Sequence, residues 1–152
     1  MILWNRILVG IDGSVHGLNA VRYLAAVLGG SSNCKVRLMS VHLPMAEEDP
    51  GQLEEIKARD IERRIALEES LLDAHRILVE ARLPAENLST ELVEADGSRG
   101  VGEVIMEAQR QGGYGTVVVG RRGLSKAEEF LFGSVSSKVI HLATECCVWV
   151  VG

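Results

Sequence analysis

The sequence predicts an open, doubly wound α/β fold: a single domain built on a five-stranded parallel sheet with helices on both faces. Three observations predict it. Short apolar runs of strand length alternate with stretches of helical periodicity in the order β-α-β-α-β-α-β-α-β. Most of those runs are continuously apolar, as in strands buried on both faces. No second domain and no internal repeat interrupts the alternation, which implies right-handed crossovers in a parallel sheet.

Residues 6–11 (RILVGI) form the first such run, and Asp12-Gly13-Ser14 supplies a turn and a helix cap. From 14 to 28, Val15, Leu18, Val21, Leu24, Ala25 and Leu28 recur at helical spacing until Gly29-Gly30 ends the helix. Residues 35–43 (KVRLMSVHL) read as the second strand, closed by Pro44. After a polar loop, a long helix is expected from about 53 to 82. Leu53, Ile56, Ile61, Ile65, Leu71, Leu72, Ile77 and Leu78 are the candidates for its inner face. Its charge-dense part, 54–69, mixes both signs at three- and four-residue separations, the pattern of a solvated, ion-paired face. Residues 88–94 (LSTELVE) alternate as the third strand, and 95–100 (ADGSRG) turn. Residues 101–111 form a helix stopped by Gly112-Gly113, and 116–119 form the fourth strand. The last helix spans 134–143 and the last strand 146–151 (CCVWVV).

A chain of 152 residues is one ordinary domain, long enough to bury a core unaided. Aromatic residues make up only 4%, so that core must be aliphatic and rich in alanine. The net charge is −5, and the basic residues are dispersed among acids. A nucleic-acid binder would carry a basic stripe, so none is expected as a partner. Cys34, Cys146 and Cys147 are an odd count without a disulfide framework and read as small core residues. The first residues lack a signal-peptide layout, and no apolar run reaches the about 18 residues needed to span a bilayer. The sequon Asn87-Leu88-Ser89 then carries no meaning. The expectation is a cytoplasmic protein with no membrane partner.

In parallel sheets of this kind, ligands bind beyond the carboxyl ends of the strands, where the strand order reverses. The places to look are Asp12, Val41 to His42, and Gly120 onward. Residues 120–137 read GRRGLSKAEEFLFGSVSS. Gly120 and Gly123 leave the end of a strand, and Gly133-Ser134 opens the next helix. Glycines permit positive φ and let amides approach an oxyanion without a Cβ in the way. A helix N-terminus adds unpaired N–H donors and partial positive charge. Ser134 and Ser136 add hydroxyls, and Arg121, Arg122 and Lys126 add charge. The bland alternative is a strand–loop–helix connection with an N-cap serine.

Other nucleotide signatures are missing: there is no G-x-x-x-x-G-K-[ST] and no G-x-G-x-x-G after the first strand. That strand ends in Gly10-Ile11-Asp12-Gly13-Ser14. Asp12 could accept a hydrogen bond from a nucleoside, face a phosphate-bound metal, or simply cap the first helix, a role open to Ser14 as well. His16, His42, His75 and His141 show no metal-ligand spacing, and no serine has a triad context. His42 is expected as an exposed loop histidine, with a place at the pocket edge as the alternative.

Gly120-x-x-Gly123, nine residues, then Gly133-Ser134 resembles the G-x2-G-x9-G-[ST] motif of ATP-binding universal stress proteins. The resemblance runs nearly end to end, with RILVGIDGS as the opening strand and acidic turn, MSVHLP as the second strand, and FGSVSSKVIHLATECCVWVV as the closing helix and strand. It implies a Rossmann-like, adenine-nucleotide α-hydrolase-like fold and membership of the nucleotide-binding branch. By position, it implies that Gly10, Ile11 and Asp12 border the adenosine and that the main chain of Val41 contacts the adenine. Gly120, Arg122 and Gly123 would approach the ribose and phosphates. Gly133, Ser134, Val135 and Ser136 would hold the phosphate tail, with Mg2+ or Mn2+ on phosphate oxygens. The resemblance also implies a homodimer through the last strand, Cys147–Val151. Cys147 departs from the proline common in the family before that strand. The readings are a nucleotide-dependent regulatory module, a slow ATPase or autophosphorylating enzyme at the same site, and a structural interaction protein with an empty cleft.

Overall fold

The computed structural model describes residues 1–45, 50–122 and 132–152. Five strands, β1 (Arg6–Gly10), β2 (Lys35–His42), β3 (Leu88–Glu94), β4 (Thr116–Gly120) and β5 (Cys147–Val151), form one parallel sheet in the order β3-β2-β1-β4-β5. Helices α1 (Val15–Leu28), α2 (Leu53–Glu80), α3 (Val101–Gly112) and α4 (Ser134–Leu142) connect them. The chain starts in the middle of the sheet and winds outward twice, so the order reverses between β1 and β4.

Side chains of successive strand residues point to opposite faces, and this divides the core in two. Ile7, Val9, Leu38 and Val118 pack beneath α1 and α2 with Val21, Leu24, Leu71, Ala74 and Leu78. Leu8, Met39, Val117 and Val119 pack beneath α3 and α4 with Ile105, Met106 and Val139. The central strands are therefore covered on both sides, which is why they read as unbroken apolar runs.

Local chemistry sets the helix ends. The Ser14 Oγ caps α1 by accepting from the Gly17 amide at 3.1 Å. Asp12 is not the cap; its Oδ1 accepts from the Ser14 amide at 2.9 Å and fixes the turn before the helix. Helix α3 ends in Gly113 at φ 61, the left-handed conformation that favours glycine.

Four expectations need correction. The inner face of α2 is Leu67, Leu71, Ala74 and Leu78, whereas Ile61, Ile65 and Leu72 are 59, 47 and 68% exposed. The row at 67, 71, 74 and 78 is the one that meets the sheet, and it includes an alanine that a count of large apolar residues passes over. Val15, in the first turn of α1, is also exposed. His42 is not an exposed loop residue. It ends β2 and is 4% exposed, with Nδ1 2.6 Å from Glu94 Oε2 and Nε2 3.2 Å from Asp60 Oδ1. Strand β3 and helix α2 close over it. Of the cysteines only Cys34 is a core residue; Cys146 is half-buried and Cys147 exposed. Partial burial, then the neighbouring Cys147, pushes the Cys146 thiol above the usual range.

Candidate functional site

A cavity of about 240 Å³ opens at the carboxyl ends of β1, β2 and β4, at the point where the strand order reverses. Strand β1 contributes Gly10, and the chain continues into Ile11 and Asp12 along one wall. Val41 comes from β2, Gly120 and Arg122 from the end of β4, and Gly133, Ser134, Val135 and Ser136 from the start of α4. Ten of the eleven residues expected from the sequence thus meet around one space. The eleventh, Gly123, lies outside the described residues, as does Lys126.

The ladder explains why main chain is available here. The Ile11 amide donates to the Met39 carbonyl at 2.9 Å, and the Ser40 hydroxyl donates to the Ile11 carbonyl at 2.7 Å. Groups of alternate residues in a strand point to the same side. Val41 therefore turns its N–H and C=O the same way as Met39, but β1 has already ended there. Both groups project past the end of β1 without a hydrogen bond among the described residues.

At the opposite wall, the Gly133 amide donates to the Arg121 carbonyl at 2.7 Å, pinning the start of α4 to the end of β4. The first intrahelical bond runs from the Ser137 amide to the Gly133 carbonyl. The amides of Ser134, Val135 and Ser136 precede it and are left without helical acceptors. The Arg122 Nε is buried beside them with no hydrogen-bond partner among the described residues. Donors and positive charge converge on this end, while Asp12 supplies the carboxylate on the other wall. Asp12 Oδ1 holds the Ser14 amide, and the other oxygen carries no hydrogen bond among the described residues.

Two expected roles change. Gly120 and Gly133 do not serve through positive φ. Gly133 is extended at φ −71, ψ 169, and Gly120 is not among the positive-φ residues. Gly120 is required by close approach: a Cβ there would sit 2.9 Å from the backbone C and O of His16 and 3.2 Å from the Gly17 amide. The Ser136 hydroxyl is also committed, lying 2.8 Å from the Arg121 carbonyl and 3.2 Å from the Gly133 carbonyl, which it can meet only as a donor. Ser136 thus offers a ligand its amide, not its side chain.

Sequence reasoning missed Gly17, Met39, Val101, Ile105 and Val119, and also Arg63 and Leu67 from α2. Met39 was within reach, being two residues before Val41 on the same face of β2. Arg63 and Leu67 stand one helical turn apart, but only the tertiary packing of α2 brings them here. Among the described residues no group of three or more His, Cys, Asp or Glu side chains could hold a metal ion, and no helix is long and apolar enough to cross a membrane.

The universal stress protein family model matches residues 4–152. No curated protein matches. Among solved structures, the universal stress protein UspA from Lactobacillus plantarum is 19% identical, covers 98% of each chain and superposes with a TM-score of 0.77. A universal stress protein from Archaeoglobus fulgidus in complex with dAMP is 20% identical over 100% of each chain, with a TM-score of 0.65. A family protein from Arabidopsis thaliana with AMP bound is 17% identical, covering 96% of this chain and 90% of its own, with a TM-score of 0.64. With the sequence match spanning nearly the whole chain and the fold agreeing, this chain belongs to the universal stress protein family.

Proposed function

We propose that the chain binds ATP in this cavity and acts as a nucleotide-dependent regulatory module. The observation that carries the reading is the meeting, in one space, of three α4 amides and a buried Arg122 Nε that have no hydrogen-bond partner among the described residues. Anions bind where helix N-terminal amides and positive charge converge. The main chain of Val41, unpaired among the described residues, matches the donor–acceptor edge of adenine, and the Asp12 oxygen with no hydrogen bond among them suits a ribose hydroxyl. Binding of adenine nucleotides by two of the similar structures supports the class of ligand. A divalent cation such as Mg2+ or Mn2+ would ride on the phosphate oxygens, because the described residues supply no ligand cluster of their own. Asp12 is the one carboxylate among the described residues lining the cavity, and one of its oxygens is already engaged. That favours binding over turnover. The regulatory unit is a homodimer through β5, the strand at one edge of the sheet.

Gly133→Val tests the phosphate end. Valine adopts the extended conformation of Gly133 readily, and at an N-cap it costs no more than about 1 kcal/mol relative to glycine. The folded variant should lose at least about tenfold in ATP affinity by calorimetry, equivalent to ~1.4 kcal/mol. Unchanged affinity would remove the α4 start from the site. Asp12→Ala tests the nucleoside end. ATP and adenosine should weaken together by about 1–3 kcal/mol, as for a charge-assisted hydrogen bond. Weakening of ATP–Mg2+ alone would move Asp12 to the metal.

A further inference from the structure

Helix α2 buries one face and exposes another that is not the expected carpet of charge. Ile61, Ile65, Leu72 and Val79 are 59, 47, 68 and 42% exposed. Ile65, Leu72 and Val79 recur every seven residues and Ile61 lies one turn before Ile65, so the four form one stripe along about five turns. Isoleucine and valine are weaker helix formers than the Lys and Glu that suit a solvated face. Single exposed apolar residues are ordinary, but a row of them at heptad spacing is the pattern of a helix–helix seam.

The charges beside the stripe decide what covers it. Arg76 stands four residues after Leu72 and Glu68 four before; His75 stands three after and Glu69 three before; Glu80 stands eight after and Arg64 eight before. A second α2 laid antiparallel, Leu72 on Leu72, sets each of these residues opposite its complement and sets Ile65 opposite Val79. A parallel copy would set Glu68 on Glu68 and Arg76 on Arg76. Within one chain Arg76 reaches Asp73 at 2.8 Å, and Arg64 reaches Glu94 at 3.0 Å and Glu68 at 3.5 Å. Glu69 and Glu80 have no ion-pair partner among the described residues.

We infer that this face of α2 seats the α2 helix of a second copy of the chain, antiparallel, about a two-fold axis at Leu72. The surface is distinct from the β5 edge. Helix α2 packs over β2 and β3, on the other side of the sheet from β5, so both contacts are open to one molecule.

Sedimentation velocity on the full chain over a range of concentrations tests the inference. Val150→Pro takes a hydrogen-bond donor from the β5 edge and weakens that contact, so that the α2 contact dominates association. This variant should still dimerise, and adding Leu72→Glu should make it monomeric, since the two-fold would face carboxylate with carboxylate. Leu72 is exposed, so an unchanged circular-dichroism melt verifies that the fold persists. In the Val150→Pro background, Glu68→Arg and Arg76→Glu should each weaken dimerisation at least fivefold, and the two together should restore it. A Val150→Pro protein that stays monomeric, or a dimer indifferent to Leu72→Glu, overturns the inference. A double charge reversal that restores nothing overturns the antiparallel pairing, leaving the stripe to a different protein.

Discussion

Gly120→Ala should destabilise the domain by about 2–3 kcal/mol and remove measurable ATP binding, although it adds one methyl group. The added Cβ would lie 2.9 Å from the backbone C and O of His16 and 3.2 Å from the Gly17 amide. These are main-chain atoms of the first turn of α1, a turn already fixed by the Ser14 cap and the Asp12 hydrogen bond. Neither side can yield locally, so the end of β4 must separate from the start of α1. That separation would displace Asp12 and Arg122, which both line the cavity. Gly10→Ala is the control. Its Cβ would meet Ile105 Cδ1 at 2.9 Å, the far end of a side chain that can rotate away. A destabilisation below about 1 kcal/mol is expected there. Urea denaturation and calorimetry on both variants make the comparison. Equal stability losses would show that backbone contact is not what makes glycine necessary at 120.

The strands were legible because each central one is covered on both faces, so Ile7, Leu8 and Val9 follow one another without a polar break. The position of the cavity followed from topology, since a sheet wound outward from its middle opens at its switch point. What glycine does at the site was not legible. The same residue serves positive φ at Gly13, close backbone contact at Gly120 and an extended cap at Gly133, and only the folded chain distinguishes them. Helix α2 carries two apolar rows, 67/71/74/78 inward and 61/65/72/79 outward, and its periodicity alone does not say which row meets the sheet. His42 was misjudged because its partners are remote. Glu94 lies 52 residues away in sequence, and nothing around Pro44 announces that β3 and α2 will cover it.

Val150→Pro should weaken a β5-mediated dimer about 5- to 150-fold while leaving the monomer folded. The Cys147 amide donates to the Gly115 carbonyl at 2.9 Å, and the Arg121 amide donates to the Val151 carbonyl at 2.6 Å. Residues 147, 149 and 151 therefore face β4, and Val148 and Val150 turn their amides and carbonyls to the open edge. An uninterrupted apolar strand with such an edge invites pairing with a copy of itself. Nearby, Trp149 meets Tyr23 edge-on at 6.1 Å, and Tyr23 and Val27 are 52 and 51% exposed, extending the apolar surface beside the strand. A charge at Val150 is the less informative probe, because its side chain packs against the core under α3 and α4. Proline keeps the apolar bulk and deletes an N–H that only water or a partner can use. By symmetry each dimer loses two donors at about 0.5–1.5 kcal/mol each, or roughly 1–3 kcal/mol in all. In a Leu72→Glu background, which removes the α2 contact, sedimentation equilibrium should then show a dissociation constant raised about 5- to 150-fold. A wild-type chain that is monomeric throughout the micromolar range would end the β5 dimer, and a folded Val150→Pro variant with an unchanged constant in the Leu72→Glu background would place the contact elsewhere than β5.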